Sequence, residues 1–167
     1  RELRPLPLLA RIRLTPRPAA PAPAPRDLVL YTDGACRGNP GPGGWAALII
    51  DGAEERVVSG HESPTTNQRM ELAAVLEGLA AIPERRRVHV HSDSAYIVNC
   101  FRDGWWERWE KNGWKNAQKQ PVSNRDLWER LIKESRRHDV VWHKVAGHAD
   151  DKLNNRVDAL ARAAIID

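Results

Sequence analysis

The sequence predicts an α/β domain with a mixed five-stranded sheet flanked by helices. Three segments typical of strands follow one another early in the chain with only short turns between them, at 28–33, 45–50 and 55–60, and the first two are mostly apolar. Two further short segments typical of strands, 88–93 and 140–142, are each preceded by segments whose apolar residues recur at helical spacing. The predicted order of elements is therefore β-β-β-α-β-α-α-α-β-α.

Composition divides the 167 residues into two parts. Residues 1–26 hold seven of the twelve prolines, six arginines and one glutamate, so we expect a disordered Arg/Pro/Ala-rich tail followed by one domain over 27–167. The whole chain carries +4 and the tail +5, which leaves the domain at −1. A near-neutral domain argues against a broad phosphate-binding surface, so any nucleic-acid site must be local.

The two cysteines, Cys36 and Cys100, are too few for a disulfide framework and lack zinc-site spacing. We therefore expect a reducing compartment, the cytoplasm. No apolar run approaches the length of a membrane span, so we expect no association with membranes.

The first strand, 28–33, ends in Asp33 and runs into a segment rich in glycine and proline, 34–44. We expect this segment to form a tight turn with several unusual backbone angles, which would let another molecule's backbone approach Asp33. Asp51-Gly52 predicts a hairpin, so the first three strands should form an antiparallel meander. Taken alone, Asp33 before Gly34 is a common turn residue rather than evidence of catalysis.

A helix is predicted to begin within 64–67 and to end before Pro83, with Glu71 in its first turn beside the apolar stripe. Glu71 there fits either a favourable charge at a helix N-terminus or an acid held close to the sheet. The next strand again ends in an acid, Asp93, and a helical crossover makes this strand parallel to the first. Asp33 and Asp93 should then share the sheet edge at which open α/β sheets bind ligands. His89 and His91 are interpreted as strand-face residues.

The second half of the chain should add a helix over 94–102, with Tyr96, Ile97 and Cys100 inward, and a helix capped by 123–126. Between them lie four tryptophans with lysines around them, at positions 105, 106, 109 and 114. This segment fits packing of a short helix and a nucleic-acid groove equally well. Asp158 lies at the edge of the apolar stripe of the last helix, where an isolated acid is more often a surface residue.

Four acids are thus expected near one sheet edge, namely Asp33, Glu71, Asp93 and Asp158. Converging carboxylates cannot all remain ionised without a cation. Their oxygens are hard ligands that suit Mg²⁺, with Mn²⁺ as an alternative. Two such ions on a phosphodiester can activate a water molecule and stabilise the leaving oxygen.

Six sequence blocks resemble one known family in order and spacing. They are YTDG (31–34), GNPGPGG (38–44), TTNQRMEL (65–72), SDS (92–94), GH (147–148) and DALA (158–161). Together they are similar to bacterial-type ribonuclease HI over about residues 27–166. The resemblance implies a ribonuclease H-like fold and Mg²⁺-dependent endonucleolytic hydrolysis of the RNA strand in RNA/DNA hybrids, with 5′-phosphate and 3′-hydroxyl ends.

The same resemblance implies roles for individual residues. Asp33, Glu71, Asp93 and Asp158 match the metal-binding catalytic acids, and His148 matches a loop histidine that assists proton transfer or product departure. Matching substrate contacts are Cys36, Asn39, Thr66, Asn67, Gln68 and Trp105. Polar amides and backbone groups there can read RNA 2′-hydroxyls. We expect a monomer with the hybrid as its partner and no obligatory protein partner.

One departure is that the tryptophan-rich segment is less basic than the family's usual protrusion, so we expect weaker hybrid affinity unless the arginine tail compensates. Three alternatives stay open: another metal-dependent nuclease or transferase of the same fold, a non-catalytic hybrid-binding module, and a domain of a larger polyprotein. The intact glycine-rich segment with Asn67-Gln68 argues against the first alternative. The presence of all four acids argues against the second, and the full tryptophan-rich segment with a final helix argues against the third.

Overall fold

The computed structural model describes residues 27–146 and 151–167. Their elements are β1 Leu28–Cys36, β2 Gly41–Asp51, β3 Glu54–Thr65, α1 Asn67–Ala80, β4 Arg87–Ser92, α2 Ala95–Arg102, α3 Trp105–Asn112, α4 Arg125–Arg137, β5 Asp139–Lys144 and α5 Lys152–Ala163. This is the predicted order. The expected tail, residues 1–26, and His148 lie outside the described residues.

The five strands form one mixed sheet in the order β3-β2-β1-β4-β5. β1, β2 and β3 pair antiparallel, which confirms the meander. β4 pairs parallel with β1 and with β5, which confirms the crossover. The carboxyl ends of β1, β4 and β5 therefore lie along one border of the sheet, which is its carboxyl edge. The strands β3 and β5 are the two outermost strands and form its outer edges.

The two faces of the sheet are covered differently. On one face α1 packs against β1 and β2, where Leu30, Leu72 and Leu76 are almost fully buried. α4 packs beside α1 and contributes Trp128, which is also fully buried. On the other face α5 covers β1 and β2 through a smaller cluster that includes Val157. This arrangement holds both α1 and α5 close to the end of β1.

The glycine-rich segment, 34–44, is mostly strand and does not form the predicted turn with several unusual backbone angles. β1 continues to Cys36 and β2 begins at Gly41, and within this segment only Gly38 has a positive φ, 84°. Gly34 and Gly44 are needed for close approach of the helices instead. A Cβ on Gly34 would lie 2.4 Å from Glu71 N, and one on Gly44 would lie 2.4 Å from the Ala161 carbonyl oxygen. The space beside β1 is thus filled by this chain's own α1 and α5.

Two local predictions differ from the structure. Tyr96 faces inward only in part: it is 37 % exposed, although its ring lies 5.7 Å from that of the buried Trp128, and the fully inward positions of the short α2 are taken by Ile97, Val98 and Cys100. Asn124 precedes α4 at φ 62°, and its side chain makes no cap hydrogen bond to that helix. Within the described ranges, no helix has the length and apolar character that spanning a membrane requires.

Candidate active site

Three of the four predicted acids meet at the carboxyl edge of the sheet. Asp33 lies near the end of β1, Asp93 directly follows β4, and Glu71 lies on α1, which crosses above β1. Each offers one carboxylate oxygen, and these three oxygens lie within 4.8 Å of one another. The cluster therefore follows from the parallel β1–β4 pair and the close contact between α1 and Gly34.

The hydrogen bonds in the cluster leave oxygens available for a ligand. The Gly34 N–H donates to Asp33 Oδ1 at 2.9 Å and to Glu71 Oε1 at 2.8 Å. Asp93 Oδ1 is buried and has no hydrogen-bond partner among the described residues. A buried carboxylate oxygen without a donor is costly unless a cation or a proton satisfies it. This orphaned oxygen fits the hard-oxygen ligand set of a divalent cation.

The pKa values of the clustered acids also favour a divalent cation at this site. Burial, and then the charge of Asp93, raises the pKa of Asp33 to about 7. Burial, and then the charges of Asp33 and Asp93, raises the pKa of Glu71 well above its ordinary value. Without a cation the cluster retains protons near neutral pH, because like charges this close in a buried site cannot all ionise. A divalent cation would favour the ionised carboxylates.

Asp158 lies beside this cluster but outside it. Its carboxylate is close enough to Asp33 for a side-chain hydrogen bond that contributes to the raised pKa of Asp33. Its Oδ2 pairs with Arg162 Nη2, one turn further along α5, at 2.7 Å. The structure therefore brings together Asp33, Glu71 and Asp93, with Asp158 as a neighbour that an arginine engages.

The predicted contacts around the start of α1 divide into two kinds. Asn39 Oδ1 accepts a hydrogen bond from Asn67 N–H at 2.9 Å, and Thr66 Oγ1 accepts one from Arg69 N–H at 3.2 Å. Both side chains therefore order the first turn of the helix. The side chains of Asn67 and Gln68, in contrast, are exposed on that turn.

Cys36, at the end of β1, is half-buried. Its sulfur lies 3.4 Å from the carbonyl oxygens of both Gly41 and Thr65, and its single S–H can donate to either of them. These contacts connect the thiol to the beginning of β2 and the end of β3. The structure thus places Cys36 at the same end of the sheet as the three acids, with its sulfur engaged by the chain's own backbone.

Trp105 lines a cleft of about 600 Å³ between α2, α3 and the segment that follows α3. Its ring lies 5.6 Å from that of Tyr96, and Arg108, Asn112 and Lys115 line the same cleft. Sequence reasoning missed Tyr96 and Arg108, although positions 105, 108 and 112 share one helix face and could have been found by that spacing. Trp109 and Trp114 are buried, so the packing interpretation is correct for those two.

A cleft of similar size at the far end of the sheet, beside Asp51 and Arg86, lies away from the acids.

The fold and the acidic cluster define an α/β protein with a site suited to metal-assisted hydrolysis. A family model described as RNase H matches residues 25–166. A protein named ribonuclease H from Moorella thermoacetica is 56 % identical over 140 residues, which cover 84 % of this chain and 92 % of that protein.

Two solved structures are also similar. LC9-RNase H1, a type 1 RNase H with the type 2 active-site motif, has a TM-score of 0.73 and 33 % identity over 87 % of this chain and 74 % of that one. LC11-RNase H1, solved in complex with an RNA/DNA hybrid, supports the fold with a TM-score of 0.64, 23 % identity, and coverage of 83 % of this chain and 96 % of that one. The chain belongs to the ribonuclease H family of enzymes.

Proposed function

We propose that this enzyme hydrolyses the RNA strand of RNA/DNA hybrids, with two Mg²⁺ ions, to give 5′-phosphate and 3′-hydroxyl ends. The observation that carries the proposal is the convergence of Asp33, Glu71 and Asp93, with a buried oxygen of Asp93 that has no hydrogen-bond partner among the described residues. All three acids come from one chain, which supports action as a monomer. Both cysteines are free, which supports the cytoplasm as its compartment.

Asp33, Glu71 and Asp93 would hold the metal, with Asp158 completing the set when it releases Arg162. When bound, divalent cations supply activation of the attacking water and stabilisation of the leaving oxygen. The protein keeps Asp33 and Glu71 in place through the Gly34 N–H. His148 would assist proton transfer or product departure, the role that the resemblance implies for it.

The hybrid would bind along two surfaces. The exposed amides of Asn67 and Gln68, beside Glu71, suit RNA 2′-hydroxyls and minor-groove edges, and Cys36 would contact a sugar near the end of β1. Asn39 and Thr66 would order this turn and help to hold a DNA phosphate. The cleft at Trp105 offers aromatic rings with Arg108 and Lys115, a combination that suits a nucleic-acid backbone and its sugars.

The proposal is tested by cleavage of a hybrid with end-labelled RNA, in Mg²⁺ and in EDTA, by the wild type and by Asp33→Asn. We expect Mg²⁺-dependent cleavage by the wild type and near-complete loss in Asp33→Asn, because the change removes an anionic ligand without changing size. Asp139→Asn is the matched control, since this exposed acid begins β5 at the opposite edge of the sheet. Extension of the products by a polymerase would identify 3′-hydroxyl ends.

Duplex DNA, duplex RNA and a four-way junction serve as alternative substrates. Cleavage of the junction or of duplex DNA at the rate of the hybrid would favour a different nuclease of the same fold. Equal activity of Asp33→Asn and the wild type would contradict the role of the acidic cluster. Hybrid binding without cleavage in Mg²⁺ or Mn²⁺ would support the alternative of a non-catalytic hybrid-binding module.

A further inference from the structure

The side chain of Arg69 joins three elements beside the acidic cluster. Its Nε donates to Glu62 Oε1 on β3 at 2.8 Å. Its two terminal nitrogens donate to the two carboxylate oxygens of Asp126, in the first turn of α4, at 3.0 and 2.8 Å. A further bond of 3.3 Å reaches Asn124 Oδ1. The guanidinium thus fixes α1 against β3 and α4 with a geometry that only arginine provides.

The start of α4 is adapted to this arginine. Asn124 adopts φ 62° and makes no side-chain cap to its own helix, and its amide oxygen accepts from Arg69 instead. The following residue, Arg125, lies over the ring of Trp114 at 5.0 Å from the centroid. Trp114 directly precedes Lys115, which lines the cleft at Tyr96 and Trp105, hereafter the aromatic cleft. A continuous chain of contacts therefore runs from the first turn of α1 to the wall of that cleft.

The ion pairs of Arg69 are better suited to fixing the position of α1 than to raising the free energy of unfolding. The side chains of Glu62 and Asp126 are 41 % and 61 % exposed, and exposed ion pairs contribute little to the free energy of unfolding. Arg69 itself is only 24 % exposed, and it lies two residues before Glu71 and directly after Asn67 and Gln68. Its orientation therefore affects the turn that carries both a candidate ligand and candidate substrate contacts.

We infer that Arg69 is a positioning residue, which sets the placement of the Glu71 turn relative to the aromatic cleft so that a hybrid held in the cleft presents its phosphodiester to the acids. This inference rests on the proposed function for its catalytic consequence. Arg69 touches neither substrate nor metal in this role. It acts through Glu62 and Asp126.

The experiment compares four variants at saturating Mg²⁺, at a temperature where unfolding curves show each to be folded. Arg69→Ala and Arg69→Lys remove the planar fork, and the pair Glu62→Ala with Asp126→Ala leaves the arginine without its two acids. We expect all three to lower kcat by about 10- to 100-fold with KM changed much less, because misplacement of about 1 Å has such effects. Arg130→Ala is the matched control, because Arg130 joins the same two helices through Glu77 at 3.2 Å.

A second readout does not require cleavage. The Gly34 N–H donates to Glu71 Oε1, so its amide resonance reports where the Glu71 turn lies. We expect this resonance to shift in Arg69→Ala and to stay unchanged in Arg130→Ala.

Three results would overturn the inference: an unshifted Gly34 resonance in Arg69→Ala, a lower melting temperature with unchanged kcat, or full activity of the Glu62/Asp126 variant where Arg69→Ala is impaired. The last would make Arg69 a direct substrate contact. A wild type that does not cleave hybrid would contradict the proposed function, while the Gly34 resonance still decides the positioning role.

Discussion

The backbone N–H of Gly34 donates to Glu71 Oε1 at 2.8 Å, which joins the end of β1 to the first turns of α1. The contact is possible because Gly34 has no side chain. A Cβ there would lie 2.4 Å from both Glu71 N and the carbonyl carbon of Met70. The absence of one methyl group thus sets how closely Glu71 approaches Asp33.

We expect Gly34→Ala to abolish most hybrid cleavage and to destabilise the protein by about 1–3 kcal/mol, because the backbone of α1 must move away from the sheet. Urea unfolding and cleavage rates measure the two effects. Gly52→Asn is the control, since Gly52 has φ 62° at a distant hairpin with no atom near its Cβ position, and asparagine tolerates this conformation. Wild-type activity in Gly34→Ala would show that the approach of Glu71 is unimportant.

The raised pKa of Asp33, about 7, predicts a pH-dependent response to metal. Between its ordinary pKa and about 7, the folded state without metal binds more protons than the unfolded state, so this group's contribution to stability falls as pH rises. Mg²⁺ must displace these protons at low pH but not at high pH. We therefore expect Mg²⁺ to raise the melting temperature more at about pH 8.5 than at about pH 5.5.

Asp33→Asn should lose much of this difference, and titration of Mg²⁺ in lightly buffered solution should release protons at low pH. A Mg²⁺ effect of equal size at both pH values would count against protonated carboxylates in the metal-free site.

Four rings contact one another on the sheet face that α5 covers only in part. Tyr31 of β1 stacks on His91 of β4, His91 stacks on His143 of β5, and His143 stacks on His89, which also belongs to β4. Burial, and then the neighbouring His143 and His89, lowers the pKa of His91 to about 4. Burial and the neighbouring His89 also lower the pKa of His143.

Below about pH 6.5, His91 and His143 bind more protons in the unfolded chain than in the folded one, so these two residues make stability decrease as pH falls towards 4. Their effect is opposite in sign to that of Asp33 over the same range. We expect NMR titration of the imidazole resonances to give His91 a pKa far below its ordinary value, and acid destabilisation to be clearest in Asp33→Asn. A His91 pKa near 6.5 would contradict the stacked arrangement.

The arginine-rich residues 1–26 carry +5, whereas the rest of the chain carries −1. We predict that deletion of the tail weakens hybrid binding and flattens its dependence on salt, because each lysine or arginine contact to a phosphate makes the slope of log K against log salt more negative by about 0.9. Fluorescence anisotropy in EDTA at several salt concentrations measures both. A full-length variant with glutamine at the six arginines is the control, and wild-type binding by either form would exclude a role for the tail's charge.

Most of the fold could be predicted because the hydrophobic patterns are local. Alternation and helical spacing determine the element order, and the single helical crossover determines that β4 runs parallel to β1, which brings Asp33 and Asp93 together. The same logic places Glu71 near this edge, since it borders the buried stripe of α1.

What sequence reasoning missed depends on contacts between distant segments. The glycines at 34 and 44 resemble turn residues, and only the packing of α1 and α5 shows that they are sites of close approach. Asn124 resembles a helix cap, but Arg69, 55 positions earlier, engages its side chain. The pairing of Asp158 with Arg162 is visible at a spacing of four residues, yet nothing in the sequence decides between this ion pair and a place for Asp158 among the metal ligands beside Asp33.

The strand β3 forms one outer edge of the sheet. This strand of 12 residues leaves a row of backbone groups without a further strand in the described sheet, which invites a second molecule to add its own strand. Glu54, Glu55 and Arg56 are exposed along it, and Pro64 near its end has no N–H to donate. Charge and a missing donor thus discourage edge-to-edge aggregation, which protects the folded protein at high concentration.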